Sequence, residues 1–163
     1  MSNGEKQDLA DRYRNVVAIY MRQGLRGQPM TVFGDGLQMR NFSYVRDVVP
    51  HIVKSVDIES ALGQVINLGG EQAYTVLELS RMVAHAIGVE WEVQHEPQRL
   101  EVRKLNLDHT RARRIFRFTS ETPLQLGLEY IAQWAKNHMR EPRPFRFVEL
   151  DINLPPAWRA KAV

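Results

Sequence analysis

Hydrophobic and polar residues follow a helical period in some segments of the chain and a strand period in others. The helical spacing predicts five helices, which begin near Asp11, Asp47, Thr75, Asp108 and Pro123. Short apolar or alternating runs between them predict four strands, at residues 30–33, 40–45, 64–68 and 90–95. This alternation favours an α/β or α+β fold. Because only one or two of the strands are apolar enough for burial on both faces, a complete parallel sheet is not expected from this chain.

Local signals predict where several helices begin and end. Asp47 and Asp108 are predicted N-caps, because an aspartate side chain accepts a hydrogen bond from an N–H of the first turn. Thr75 and Glu78 have the spacing of a capping box, and Gly88 stands where a left-handed residue would end the same helix. The third helix is therefore predicted between Thr75 and Gly88.

Length and composition indicate the class of protein. The chain has 163 residues, of which 44% are hydrophobic and 25% charged, and these values are typical of one globular domain with a core. We expect that domain to span residues 1–139 and the proline-rich residues 140–163 to form an extended tail. No apolar run approaches the ~20 residues of a membrane span, and the first residues lack a signal-peptide core. A cytoplasmic protein with no membrane partner is the resulting expectation.

The sequence excludes most kinds of self-contained active site. It has no cysteine, and its five histidines form no HxxxH or HExxH pair, so no metal site is predicted. It also lacks a G-x-S-x-G nucleophile elbow, a G-x-G-x-x-G dinucleotide motif and a Walker loop. The remaining candidates are anion-binding residues, Asn15, Arg40 and Arg99, since a guanidinium group binds two phosphate oxygens at once. Spacing alone leaves open that the arginines are solvated or paired with nearby carboxylates.

The charge of the chain is mildly basic. With 22 Lys and Arg against 19 Asp and Glu, the net charge is +3, which suits a small anionic ligand as well as nucleic acid. The basic run Arg111, Arg113, Arg114 and Arg117 spreads its charge around a helix rather than along one face. Nucleic acid is therefore not the expected partner.

Five segments of the sequence together carry a resemblance to a known family. They are YRNVVAIYMRQGLRGQPMTVFGDG, QMRNFSYVRDVV, VINLGGEQAYTVLELSRMVAHAIG, PQRLEVRKLNLDHTRARRIF and TPLQLGLEYIAQWAKNH. In this order they resemble the carboxy-terminal half of the NAD-dependent epimerase/dehydratase family, the extended short-chain dehydrogenase/reductases that include UDP-glucose 4-epimerases. The resemblance implies the small substrate-binding domain of these enzymes, plus segments that complete their dinucleotide-binding sheet.

The same resemblance implies a binding site for a UDP-sugar. Its residues would be Asn15, Val16, Thr31, Val32, Phe33, Arg40, Arg99 and Glu101. In the family the first two positions hold the diphosphate, the next three flank the uracil, the two arginines bind phosphate and the acid lies against the ribose. Arg46 departs from the family pattern, in which this position is commonly acidic.

Two motifs of the family are absent from the sequence. There is no glycine fingerprint for NAD, and no tyrosine is followed four positions later by lysine. In the family that tyrosine is the general acid/base, and NAD accepts the hydride. We therefore expect a nucleotide-sugar-binding half of an epimerase or dehydratase that binds no cofactor alone and is not catalytic by itself. The alternative is an oligomerisation or protein-interaction module derived from the same fold.

The resemblance also suggests how the chain assembles. The strand at residues 64–68 and the helix after Asp47 would lack their neighbours, which leaves strand N–H and C=O groups and an apolar helix face exposed. That face would consist of Val48, Val49, Ile52, Val53 and Val56. We expect a homo-oligomer, or association with a separate chain that supplies the dinucleotide-binding half.

Overall fold

The computed structural model describes residues 2–11, 15–105, 107–119 and 122–141. The predicted tail therefore lies outside the described residues apart from Arg140 and Glu141. The described helices are α1 Val16–Leu25, α2 Val45–Lys54, α3 Val76–Ile87, α4 Thr110–Phe116 and α5 Leu124–Asn137. The strands are β1 Ser2–Asn3, β2 Met30–Phe33, β3 Met39–Asn41, β4 Ser43–Tyr44, β5 Ala73–Thr75 and β6 Val93–Glu96.

The described strands form three separate pairs rather than one sheet. β1 pairs with β4 and β2 with β6 in parallel, whereas β3 pairs with β5 in antiparallel orientation. Helices and short strands thus alternate along the chain, which confirms the α/β class. The absence of a continuous sheet among the described strands agrees with the small number of strands suited to burial on both faces.

The hydrophobic core lies between helices α1, α3 and α5 and strand β2. Side chains from all four elements are fully buried there, among them Val17, Val32, Leu79, Val83 and Leu128. Their apolar faces recur at helical spacing on the three helices, as the sequence predicts. The core holds β2 in a fixed position, and the residues that follow β2 contribute to the candidate site.

The capping signals of α3 are confirmed. The Thr75 hydroxyl accepts from the Glu78 N–H, and the Glu78 carboxylate accepts from the Thr75 N–H at 2.7 Å. The hydrogen bonds that this carboxylate accepts from the N–H and the hydroxyl of Thr75 hold the pKa of Glu78 below its ordinary value. Gly88 ends the helix with φ 77°, a left-handed conformation that glycine adopts without steric cost.

The two predicted aspartate N-caps are wrong, because each aspartate side chain makes a different contact. Helix α2 begins two residues before Asp47, and Tyr44 is its N-cap. The Asp47 carboxylate instead accepts from the N–H and hydroxyl of Thr122, at 3.0 and 2.8 Å, just before α5. Asp108 accepts from the Thr110 N–H at 2.8 Å, but His109 occupies the N-cap position. The Asp47 side chain therefore makes a tertiary contact instead of a cap. The Asp108 side chain makes a local turn one residue before the N-cap position.

The predicted strand at residues 64–68 is also wrong, since this segment pairs with no described strand. Its described contacts come from side chains: Arg111 donates to the Val65 carbonyl at 3.0 Å, and Asn67 donates to the Asp108 carbonyl at 3.2 Å. A strand requires a neighbouring strand, and no described strand is hydrogen-bonded to this segment. The segment therefore has the β-branched composition of a strand but is not part of a described sheet.

Gly70, which follows segment 64–68, lies against the backbone of Phe42, the residue between β3 and β4. A Cβ atom at Gly70 would lie 1.9 Å from the Phe42 carbonyl oxygen, whereas one at Gly69 would lie 3.2 Å from the Ser43 hydroxyl. Gly70 also donates its N–H to the Ser43 hydroxyl at 2.8 Å. Only glycine fits at position 70 without backbone movement.

We expect Gly70→Ala to lower the free energy of unfolding by about 3 kcal/mol, since the backbone must shift to admit the methyl group. Gly69→Ala is the matched control and should change it by about 1 kcal/mol or less, because a contact at 3.2 Å is relieved by a small shift of the Ser43 side chain that keeps its hydrogen bond to Gly70. Urea unfolding followed by circular dichroism measures both. Equal stability of the two variants would contradict the close approach.

Candidate functional site

The candidate site lies where the parallel strands β2 and β6 end at the same edge. Phe33 is the last residue of β2 and is in register with Glu96, the last residue of β6. Arg99 follows β6 by three residues, and Arg40 lies in β3, which follows the turn after β2. The chain therefore returns twice to this edge and places an aromatic ring and two guanidinium groups there.

A carboxylate joins the two arginines. Arg40 Nη2 donates to Glu101 Oε2 at 2.7 Å, and Arg99 Nη2 lies 3.6 Å from Glu101 Oε1. The three side chains are 14% (Arg40), 28% (Arg99) and 26% (Glu101) exposed, so their charges are partly shielded from solvent. Arg40 is anchored further through Nη1, which donates to the Met39 carbonyl at 2.8 Å.

The aromatic ring of Phe33 is covered by one of these arginines. The guanidinium carbon of Arg99 lies 3.9 Å from the centroid of the ring, a cation–π geometry. A planar base can also stack on the face of an aromatic ring. The contact therefore links the apolar and the charged parts of the site.

Gln38 was not singled out by sequence reasoning, yet it holds the site together. The residue is 7% exposed, and its Nε2 donates to the Phe33 carbonyl at 3.2 Å and to Glu101 Oε1 at 3.3 Å. Its two partners are five and 63 residues away along the chain. No local pattern could have identified this role.

Two glycines shape the turn that joins β2 to β3. Gly34 and Gly36 have φ 66° and 73°, in the region that other residues rarely adopt. The Asp35 carboxylate between them accepts from the Leu37 N–H and from Arg103, both at 2.9 Å, and these bonds lower the pKa of Asp35. These hydrogen bonds hold the turn in one conformation, which sets the direction of β3 and the position of Arg40.

Thr31 and Val32 occupy interior positions of β2. The Val32 side chain is fully buried in the core, so only its backbone could contact a ligand. The Thr31 hydroxyl accepts from Gln23 Nε2 at 2.8 Å, and its carbonyl accepts from the Tyr20 hydroxyl at 3.0 Å. Burial is the main cause of a raised pKa of Tyr20. The charge of Arg99 opposes this rise in pKa, and the charge of Glu101 adds to it. Tyr20 therefore connects α1 to β2 as a neutral hydroxyl.

Asn15 and Val16 begin α1 and contact other parts of the molecule. Asn15 has φ 64° and donates from Nδ2 to the Ser2 carbonyl at 2.9 Å, and Val16 packs against the core. The Oδ1 atom of Asn15 and both amide atoms of the neighbouring Asn3, which is 3% exposed, find no hydrogen-bond partner within the described structure. Buried amides without partners are uncommon in proteins. Sequence reasoning missed Asn3, because its burial depends on the pairing of β1 with β4.

The structure thus brings together four of the eight residues predicted for the site. They are Phe33, Arg40, Arg99 and Glu101. The assignment of all eight to a ligand stays a prediction. Among the described residues, no three His, Cys, Asp or Glu side chains lie close enough to hold a metal ion.

A cavity of about 360 Å³ lies away from the arginine cluster. It is bounded by α2, the turns that follow it and segment 64–68, and its lining includes His51, Ile52, Val56, Leu62 and Ile66. The lining carries no Lys or Arg side chain, so the cavity offers an anionic ligand no guanidinium or ammonium group. Within the described ranges, no helix is both long enough and apolar enough to cross a bilayer.

Comparison with known proteins gives the same family from sequence and from structure. Residues 3–69 match the model of the NAD dependent epimerase/dehydratase family. The chain is 30% identical over 138 residues to a putative UDP-glucose 4-epimerase of Methanocaldococcus jannaschii, which covers 84% of this chain and 44% of that protein.

Two solved structures have the same fold. A UDP-glucose 4-epimerase of Thermotoga maritima with UDP-glucose superposes with a TM-score of 0.75 and 29% identity, over 83% of this chain and 43% of that one. A UDP-glucuronic acid 4-epimerase of Bacillus cereus in complex with NAD has a TM-score of 0.71 and 25% identity, over 84% and 42%. The chain spans less than half the length of each of these relatives.

Proposed function

We propose that this chain, which belongs to the NAD-dependent epimerase/dehydratase family, is a carboxy-terminal part that binds the nucleotide of a UDP-sugar and is not catalytic by itself. The observation that carries the proposal is the convergence of Arg40 and Arg99 beside the ring of Phe33. A nucleoside diphosphate offers an anion and a planar base, and this cluster offers a partner for each. The solved relative that contains UDP-glucose supports the choice of nucleotide.

Calorimetric titration of the purified chain with UDP tests the proposal. We expect weak binding that falls as salt rises, because the contacts are charge-assisted and partly exposed. Uridine, which lacks the phosphates, is the matched control ligand and should bind more weakly still. UDP binding that ignores salt, or no UDP binding at all, would contradict the proposed function.

The chain alone does not fit NAD. The Gly34–Gly36 turn leads from β2 into β3 and not into a helix, whereas dinucleotide sites place the pyrophosphate at the N-terminus of a helix after a glycine-rich turn. The sequence also lacks the glycine fingerprint. Although a solved relative contains NAD, we propose that this chain contributes to substrate binding only.

A second function, assembly, is favoured by an exposed apolar face. We define this face by large side chains between 45% and 78% exposed: Val49, Ile52, Val53, Val56, Leu62 and Val65. Val48, which the sequence placed in the same face, is instead buried at 7% exposure. Solvent-exposed apolar side chains at this density are typical of an interaction surface. The neighbouring segment 64–68 pairs with no described strand and could accept one from a partner.

We expect the purified chain to form a homodimer or larger oligomer through this face at micromolar concentration. Val53→Lys, within this face, and Ile66→Lys, in the neighbouring segment 64–68, should shift it to the monomer, because a buried ammonium group without a partner costs several kcal/mol. Gln133→Lys, on the exposed side of α5, adds the same charge elsewhere and should leave the oligomer intact. Light scattering coupled to size exclusion measures all three. A wild-type monomer would contradict the assembly.

A further inference from the structure

Glu101 competes with a phosphate for the same arginines. Its carboxylate accepts from Arg40 at 2.7 Å, lies 3.6 Å from Arg99 and accepts from Gln38 at 3.3 Å. A carboxylate and a phosphate present similar oxygen atoms to a guanidinium group. In this structure, both guanidinium groups that would bind a diphosphate therefore form ion pairs with Glu101.

We infer that Glu101 is an internal counter-anion, which a diphosphate must displace from Arg40 and Arg99 in order to bind. The inference rests on the proposed function and deepens it, since it assigns Glu101 a role opposed to phosphate binding. A diphosphate carries more negative charge than one carboxylate, so it interacts more strongly with the two guanidinium groups than Glu101 does. Ligands with a single negative charge gain much less from the exchange.

The position of the carboxylate is fixed by more than the ion pair. Gln38 is buried, and it donates from one amide nitrogen to both Glu101 and the Phe33 carbonyl. Glu101 is thus held on the arginines by a neutral residue that is anchored to the end of β2. Once displaced, the carboxylate is still beside the ligand, where it can accept a hydrogen bond from a ribose hydroxyl. The same residue then disfavours the phosphates and favours the nucleoside.

The test compares inorganic pyrophosphate with uridine in Glu101→Gln, a variant that keeps the shape of the side chain and removes its charge. We expect pyrophosphate to bind about five- to tenfold more tightly than to the wild type, since one repelling charge near the anion is lost. Uridine should bind no more tightly than before. Glu90→Gln, an exposed carboxylate at the opposite end of β6, has the same change in net charge and should leave both affinities unchanged.

Several outcomes decide between the inference and the proposed function. Unchanged or weaker pyrophosphate binding in Glu101→Gln would overturn the inference, and Glu101→Ala, checked for folding by circular dichroism, repeats the test without the amide. If the wild type fails to bind UDP but Glu101→Gln binds pyrophosphate tightly, the inference stands and the UDP assignment fails. If neither the wild type nor the variants bind pyrophosphate or UDP, both are overturned.

Discussion

Replacing both Arg40 and Arg99 with alanine is expected to abolish calorimetrically measurable UDP binding. Each charge-assisted contact to a phosphate contributes about 1.5–3 kcal/mol, so each single variant should weaken binding by about 10- to 150-fold. The double variant also leaves Glu101 without its cations, and its carboxylate then repels the incoming phosphates. The largest loss is therefore expected when both arginines are removed.

Arg114→Ala is the control for this experiment. Arg114 is exposed on the basic helix α4, and its replacement removes one positive charge from outside the cluster. We expect it to change UDP affinity by less than about twofold at physiological salt, where distant exposed charges are screened. If Arg40→Ala and Arg99→Ala bind UDP as the wild type does, the assigned site is wrong.

The purified chain is expected neither to bind NAD nor to interconvert UDP-glucose and UDP-galactose. Hydride transfer in this family needs a bound nicotinamide and a tyrosine activated by a lysine four residues later, and the sequence contains no such pair. The expected effect is a complete loss of turnover relative to a full-length UDP-glucose 4-epimerase assayed in parallel. NAD binding is followed by fluorescence and turnover by product formation with the chain at stoichiometric concentration.

Turnover that copurifies with the chain through successive columns, and that persists in material free of host epimerase, would contradict this expectation. The result would also remove the reason for calling the chain a substrate-binding part. UDP binding without turnover would be the combination that the proposal predicts.

Local signals in the sequence predicted those elements whose stability depends on nearby residues. The capping box of Thr75 and Glu78 and the left-handed Gly88 define α3, and all three partners lie within one helix. Strand β2 was likewise predicted from its short β-rich run. Where a segment depends on distant partners, the same reasoning failed. Asp47 was predicted as a cap from its residue type and position. Nothing in the sequence indicates that Thr122, 75 residues away, donates a hydrogen bond to its carboxylate.

Segment 64–68 shows a different limit of the sequence. Its β-branched residues fit a strand, but strand formation needs a neighbour that the described part of the chain does not provide. The same segment and the exposed apolar face lie next to one cavity. A pattern that predicts a buried strand can therefore also mark an interface, and the sequence alone does not distinguish the two.

The arginine cluster was predicted residue by residue, but its arrangement was not. The resemblance named Arg40, Arg99 and Glu101, and the structure shows that the acid lies on both cations. Arg40 and Glu101 are 61 residues apart, and the parallel pairing of β2 with β6, together with the bridge between Met39 and Lys104, brings their segments together. The alternative that the arginines pair with nearby carboxylates thus holds for the ligand-free chain, and the proposed diphosphate site uses the same side chains.

Nuclear magnetic resonance titration of the chain with UDP tests directly whether the nucleotide binds at the arginine cluster, because each backbone amide reports separately. We expect saturable chemical-shift changes centred on Phe33, Arg40, Arg99 and Glu101, and no such changes in the double arginine variant. Shift changes centred instead on the exposed apolar face, or no shift changes with millimolar UDP, would contradict this expectation.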